Sequence, residues 1–413
     1  MYDQADHNIP YLTAHLPGVG GKIKVSWDDF FVEEIPLYEP CGQGDHLFVQ
    51  IEKEGRATLD AIAQIARALH VSPQQVGYAG LKDSWAVTRQ WLSLEHIDAE
   101  QVENLDMPRI KILQTVRHKN KLRIGHLAGN RFIIRVREPA VPLDQAVSRA
   151  ENIVSQLAIS GVGNLFGPQR FGKRNDTHRL GEAIVRDDPQ EFMDIFLGRP
   201  QQEDKSEIYE ARSCYDQGEY ERAYELLPFH FNDHRRALRL LIRGKTKQQA
   251  FSAVGKHYRR LYISAFQSNL FNRVFTARMP EIDKLLPGDM AYKHDNGACF
   301  RVEDAQLEQL RCTNFEISPT GPLFGYLMAE AEGKAGEIEK TVLTRADLEL
   351  TDFRLKNSNK VKGGRRPLRF LPRNMDIGSG TDENGDYLEL RFELDSGCYA
   401  TAVLREITKH DEL

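Results

Sequence analysis

Along "HLFVQIEKEG" the chain alternates Leu47, Val49 and Ile51 against His46, Phe48 and Gln50, which is the two-residue period of a half-buried strand. A helix follows, with Thr58 as its expected N-cap and Leu59, Ile62, Ile65 and Leu69 at helical spacing. "AVTRQWLSL" returns to alternation. In "NRFIIRVRE", Phe132, Ile134 and Val136 face one way and Arg131, Arg135 and Arg137 the other. "LDQAVSRAENIVSQLAISG" predicts a helix that ends near Gly161. From about 161 to 371 the pattern is more helical, and one long segment carries Leu261, Ile263, Phe266, Leu270 and Phe271 at helix spacing. "SPTGPLFG" (318–325) reads as a turn-rich loop. Beyond 371, Leu388, Leu390, Phe392 and Leu394 alternate with Tyr387, Glu389, Arg391 and Glu393, a strand again. A β-rich start, a helical middle and a β-rich end predict the α+β class, with one domain interrupted by an inserted one.

The chain has 413 residues, enough for two domains with sizeable cores. Its apolar runs are short and broken by charges, so no membrane span is expected. The opening "MYDQADHNIPYLTAHLPGVGG" lacks a basic start followed by an apolar core, so it does not read as a secretory signal. The closing "HDEL" has the form of a retrieval tag, but such a tag is read only on a secreted chain. A cytoplasmic protein is expected. The five cysteines are scattered and have no CxxC spacing, so neither a zinc site nor a disulfide framework is expected. No P-loop or HExxH motif occurs. Cofactors and metals are therefore expected to be none.

Net charge is −5, which alone argues against a nucleic-acid partner. The distribution argues the other way. Arg109 to Arg137 holds nine Lys/Arg and no acid, Arg235 to Arg278 eleven and none, Arg354 to Arg373 eight and none. Such windows predict basic faces on an acidic body, the footprint of a polyanion partner.

One carboxylate stands out. Asp83 lies in "GYAGLKDSWAVTRQWLSL", where Gly77 and Gly80 permit a sharp turn ahead of it. An aspartate on a turn ordinarily serves its own backbone. Hydrolysis of a glycosidic bond uses paired carboxylates, and only one is evident here. A single carboxylate suits covalent catalysis, or base catalysis on a substrate that needs no second protein acid. It must be ionised, and a nearby cation would keep it so.

"GYAGLKD", "GNRF" (129–132) and "NLFGPQRFG" (164–172) together resemble the TruD family of tRNA pseudouridine synthases. "GKIKVSWDDFFVEE", "RHKNKLRIGHLAGNRF" and "SGCYATAVLREI" extend the resemblance, in the family's order. "YISAFQSNLFNRV" and "SPTGPLFG" are the best matches in the middle. The resemblance implies a pseudouridine-synthase core, residues 1–160 and 372–413, with a mixed, mainly antiparallel sheet flanked by helices. An α/β TruD-specific domain, 161–371, is inserted in it. Asp83 matches the catalytic aspartate, Lys24 the pocket lysine near that carboxylate, Phe132 the aromatic against the target uracil and Asn130 its neighbour. The sequence departs from the family pattern at Ser26-Trp27-Asp28, just after Lys24.

The implied activity is isomerisation of a tRNA uridine, by default position 13 of the D arm, with Asp83 either attacking C1′ or taking the C2′ proton. The alternative is a non-catalytic tRNA-binding or folding protein. RNA contacts are expected from Arg117, Lys119, Lys121 and Arg123 just before the pocket strand. A second set is Arg235, Arg236, Arg239 and Arg243 on a helix of the insertion. A third is Lys360, Lys362, Arg365 and Arg366 in "KVKGGRRP", a segment expected to be mobile until bound. With no coiled coil or apolar interface stripe evident, a monomer without a protein partner is expected.

Overall fold

The computed structural model describes residues 9–355 and 360–410, so the last three residues of "HDEL" lie outside it. The chain divides into two compact units, one formed by Tyr11–Val162 with the segment from Phe370 onward, the other built on Gly163–Arg369.

The first unit is organised by an eight-stranded sheet. Its elements are β1 (Phe30–Pro36), β2 (His46–Glu54), α1 (Thr58–Ala68), β3 (Gly77–Tyr78), β4 (Val87–Glu95), α2 (Ala99–Glu103), β5 (Ile110–His118), β6 (Leu127–Arg137) and α3 (Leu143–Ser160). The strands Arg373–Asp382 and Gly385–Asp395 and the helix Ala400–Thr408 complete it. The strand order is 373–382, 385–395, β6, β1, β4, β2, β5, with β3 paired to β4. β1 and β4 are parallel, Phe31 opposite Val87, while the other pairs are antiparallel. A parallel pair needs a long crossover, supplied here by β2, α1 and the "GYAGLKD" turn. The segments that enter β1 and β4 therefore meet at one end of the sheet. Lys53, which pairs with Thr88 near the far end of antiparallel β2, comes to the same place.

α3 and the helix Ala400–Thr408 cover one part of the sheet, burying Ile153, Leu157, Val403 and Ile407 with Ile134, Val136 and Leu390. α1 and α2 cover another, burying Ile62, Ile65 and Val102 with Val49, Ile51 and Leu92. Three details correct the sequence reading. Phe48 is not on a solvent face: it is buried with Ala79, Trp91 and Leu122, so β2 is covered on both sides. Leu59 is exposed, and Ala61, Ile62, Ile65 and Ala66 form the buried face of α1. Thr58 is the first helical residue rather than the cap, which is Ala57. The Thr58 hydroxyl is committed elsewhere: it accepts the Lys82 N–H at 2.9 Å and donates to Gln90 Oε1 at 2.9 Å.

The second unit holds helices packed around Phe192, Met193, Phe196 and Leu238, and the long helix Lys256–Arg278. Gly181, on the helix Thr177–Val185, lies so close to that long helix that a Cβ would come within 2.0 Å of the Tyr262 carbonyl oxygen. "SPTGPLFG" is mostly not a loop. Ile317–Leu323 is a strand of a four-stranded sheet ordered 364–367, 317–323, 290–293, 299–301. Its two prolines lack an N–H, but their carbonyls still accept, as Pro319 O does from Leu368 N–H at 2.8 Å. Six consecutive buried residues, Ile317–Pro322, outweigh the lost donors. The same pairing orders Gly364–Pro367, so this part of "KVKGGRRP" is a strand and not a mobile loop. No helix among the described residues is long and apolar enough to cross a membrane.

Candidate active site

Asp83 sits on the turn before β4, and Lys24 on the segment before β1. The parallel pairing of those strands brings them together: Lys24 Nζ forms an ion pair with Asp83 Oδ2. The other carboxylate oxygen, Oδ1, accepts the Trp85 main-chain N–H at 3.0 Å. The Asp83 side chain keeps a third of its surface exposed, so the carboxylate is reachable. Partial burial pushes its carboxyl upward. The Lys24 hydrogen bond, the Trp85 N–H and the charges of Lys24 and Lys53 outweigh that and hold it below the usual carboxylate range.

The turn is held from three sides. Thr58 takes the Lys82 N–H, as described above. Lys53, fully buried, donates from Nζ to the Asp83 carbonyl at 2.9 Å and to the Arg56 carbonyl at 2.5 Å. Burial lowers the Lys53 ammonium to about 8 against the opposing pull of Asp83. Lys82, next to the catalytic candidate, points inward: its Nζ meets Glu34 Oε2 at 2.8 Å and Asn130 Oδ1 at 2.8 Å. Glu34 and Asn130 stand opposite each other across β1 and β6. Burial raises the Glu34 carboxyl although Lys82 opposes this.

Lys24 adopts a left-handed backbone, φ +58°, a conformation that persists in a non-glycine residue only where the surroundings impose it. Here they do. Lys22 exchanges two main-chain hydrogen bonds of 2.8 Å with Arg137, and Trp85 Nε1–H donates to the Lys24 carbonyl at 2.8 Å. After Lys24, Ser26 N–H donates to Asp29 Oδ2 at 2.9 Å, and Asp29 is buried against Arg137. The residues that depart from the family pattern thus form a short, anchored turn. The Lys24 ammonium also lies 4.6 Å from the centroid of the Phe30 ring. Phe30 meets Phe132 edge to face, and Phe132 stacks on Phe392 at 5.4 Å. Phe132 is only 7% exposed, so most of its ring is core.

Removing the cation beside Asp83 has a signed consequence. Lys24→Met takes away both a hydrogen bond and a charge that favour the carboxylate, so the Asp83 pKa rises. Any turnover that needs the anion then loses its acid limb at higher pH. The expected displacement is about 1 unit or more upward in a kcat–pH profile; an unmoved limb would remove Lys24 from this role.

A family model described as tRNA pseudouridine synthase D (TruD) matches residues 6–407. The chain belongs to the tRNA pseudouridine synthase D family. It is 46% identical over 400 residues to tRNA pseudouridine synthase D of Geobacter metallireducens, covering 97% of each chain. It is 43% identical over 401 residues to the Syntrophotalea carbinolica protein of that name, covering 97% of this chain and 99% of the other. Among solved structures, the putative tRNA pseudouridine synthase D of Methanosarcina mazei superposes with a TM-score of 0.85 at 26% identity, covering 99% of this chain and 98% of that one.

The sets of cations expected to contact RNA in this TruD family member fare unequally. Lys119 and Arg123 are exposed on the loop between β5 and β6. Lys121 Nζ donates to the Gln74 carbonyl at 2.9 Å, and Arg117 lies 3.5 Å from Asp98. Lys121 and Arg123 line a cleft of about 720 Å³ with Tyr38, His46 and His118. That cleft is at the His46 end of β2, away from Lys53 and Asp83. In the helix Asn232–Ile242, Arg235 donates to the Tyr224 and Leu227 carbonyls, Arg239 to the Tyr224 hydroxyl, and Arg236 pairs with Asp233. Arg243 is exposed at the end of that helix, and so are Lys360 and Lys362. Arg365 is spoken for: its side chain is 3% exposed and forms a double hydrogen bond with Glu339 at 2.6 and 2.9 Å. Arg366 packs 4.4 Å over the Phe166 ring and donates to the Asn164 carbonyl at 3.1 Å.

The acid-free windows are thus not uniformly basic faces. Folding supplies Glu33, Glu393 and Glu389 to Arg131 and Arg135, and Asp289 to Arg278. The sequence reading also missed Lys53, Glu34 and Trp85, which surround the Asp83 turn. A lysine on the apolar phase of β2, in line with Leu47, Val49 and Ile51, hinted at Lys53, and a tryptophan two residues past the aspartate at Trp85; no pattern marked Glu34.

Proposed function

We propose that this protein converts a uridine of tRNA to pseudouridine, with Asp83 as the reacting carboxylate and position 13 of the D arm as the site modified. The observation that carries the reading is the Lys24–Asp83 pair: a reachable carboxylate held ionised by a cation on a strained, anchored turn. The reaction breaks the C1′–N1 bond, turns the uracil and rejoins it through C5, with loss of the C5 proton. Both candidate first steps, attack at C1′ and removal of the C2′ proton, require the Asp83 anion. Lys24 supplies that state. Phe132, packed with Phe30 and Phe392, is the apolar group against which a detached uracil is retained. Asn130, oriented by Lys82, offers its remaining amide donors to the base. The uridine must leave its stack to arrive there, at a cost of a few kcal/mol that phosphate contacts offset. Lys119 and Arg123 are exposed on the loop that leads into β6, the strand that carries Asn130 and Phe132.

The test is tritium release from a tRNA transcript carrying [5-³H]uridine, mixed with purified protein in plain buffer. Release of one equivalent per tRNA, lost when uridine 13 of the transcript is replaced by cytidine, is expected. Full release from the cytidine-13 transcript would move the site elsewhere in the RNA. No release from any tRNA, with binding intact, would favour a binding protein without catalysis.

A further inference from the structure

We propose that Trp85 is a stacking platform for a nucleobase adjacent to the reacting uridine, an RNA subsite beside Asp83. This rests on the tRNA-modifying reading above.

Trp85 is half exposed, whereas Trp91, six residues on, is 6% exposed. Its placement is rigid. The main-chain N–H is held by Asp83 Oδ1 and the indole N–H by the Lys24 carbonyl. The ring meets Trp27 edge to face at 5.9 Å, and the Arg109 guanidinium lies 4.5 Å from the centroid of Trp27. With the one polar atom of the indole committed to the Lys24 carbonyl, the ring offers carbon surface to a partner. Leu81, two residues before Asp83, is 64% exposed, so the carboxylate is bracketed by apolar groups in water.

A fixed aromatic surface loses little conformational freedom on binding. Its position next to the reacting carboxylate selects the occupant. Extruding a uridine leaves its neighbours without a stacking partner. An aromatic side chain replaces that partner without reading its identity, because every base has a π face. Arg109, exposed and stacked over Trp27, suits a phosphate that accompanies such a base. The stacking role is distinct from holding Lys24, which uses only the indole N–H.

The test compares Trp85→Ala and Trp85→Phe in single-turnover tritium release, with melting temperature recorded for each. Transcripts with an abasic residue immediately 5′ or 3′ of the target are run in parallel. Trp85→Ala is expected to lose about tenfold to a hundredfold in the second-order rate constant, the range for one base–aromatic stack. Trp85→Phe, which keeps a ring and drops the N–H, recovers at least half of that loss on a logarithmic scale. One abasic transcript loses a similar factor with wild-type protein and loses little more with Trp85→Ala. If Trp85→Phe is as impaired as Trp85→Ala, the indole acts only through Lys24 and the platform is overturned. Wild-type protein indifferent to both abasic transcripts overturns it too, without reliance on any variant. Absence of release from the intact transcript by wild-type protein would instead sink the underlying reading of the activity.

Discussion

Replacing Asp83 by asparagine abolishes tritium release in the expected result, while tRNA still binds. Asparagine has nearly the shape of aspartate, and its Oδ1 can still accept the Trp85 N–H. What it lacks is the charge. Removing a group that transfers a proton at the reacting centre costs about 10²–10⁴-fold, and loss of a nucleophile would cost more, so a fall of at least ~10³-fold in single-turnover rate is expected. Affinity is expected to stay within about threefold, since phosphate contacts dominate RNA binding and Asp83 makes none. A variant that retains a tenth of wild-type turnover would reduce Asp83 to a turn residue.

The second large effect concerns the anchor behind Lys24. Arg137 is 2% exposed and Asp29 fully buried, and they share hydrogen bonds of 2.6 and 2.9 Å. The other side of the guanidinium holds Asp382, at 2.6 and 2.7 Å, and the Gly385 carbonyl at 3.0 Å. Arg137→Met leaves the Asp29 carboxylate buried, with the Ser26 N–H as its remaining hydrogen-bond donor among the described residues. Breaking a buried pair in this way costs about 3–5 kcal/mol. In a unit of this size that lowers the melting temperature by roughly 6–20 °C. Turnover should fall further than stability alone requires, because Asp29 ties down the turn that follows Lys24. The double variant Asp29→Asn, Arg137→Met should regain part of the lost stability, since it removes the stranded charge. A melting temperature unchanged in Arg137→Met would mean that the pair carries no net stability.

Much of this was legible from the residues. Strand alternation identified β6 and the strand Gly385–Asp395, which have a covered face and a wetter one, and it also found β2 and β4, although both of those are covered on two sides. Asp83 and Lys24 were legible through motif order, since 59 positions separate them and no local pattern links the two. The strand Arg373–Asp382 was invisible: it is a glycine- and serine-containing edge whose pairing comes from its neighbour Gly385–Asp395. "SPTGPLFG" was misread because prolines and glycines report turns in isolation, whereas here a buried sheet sets the backbone.

Charge was the least transferable signal. Runs of lysine and arginine along the chain predict basic faces, yet Arg137, Arg278 and Arg365 are buried against carboxylates that lie outside those runs. Sequence by itself determined the class of fold, the family resemblance and the choice of Asp83 as the candidate carboxylate, because these depend on local pattern and motif order. Only the tertiary structure decided what surrounds that carboxylate. The parallel pairing of β1 with β4 delivers Lys24 to Asp83. The antiparallel return of β2 places a buried ammonium behind the turn, and Trp85 is pinned with half its ring in solvent. Ion pairs and exposure are properties of distance, and distance between remote residues is set by strand register and packing.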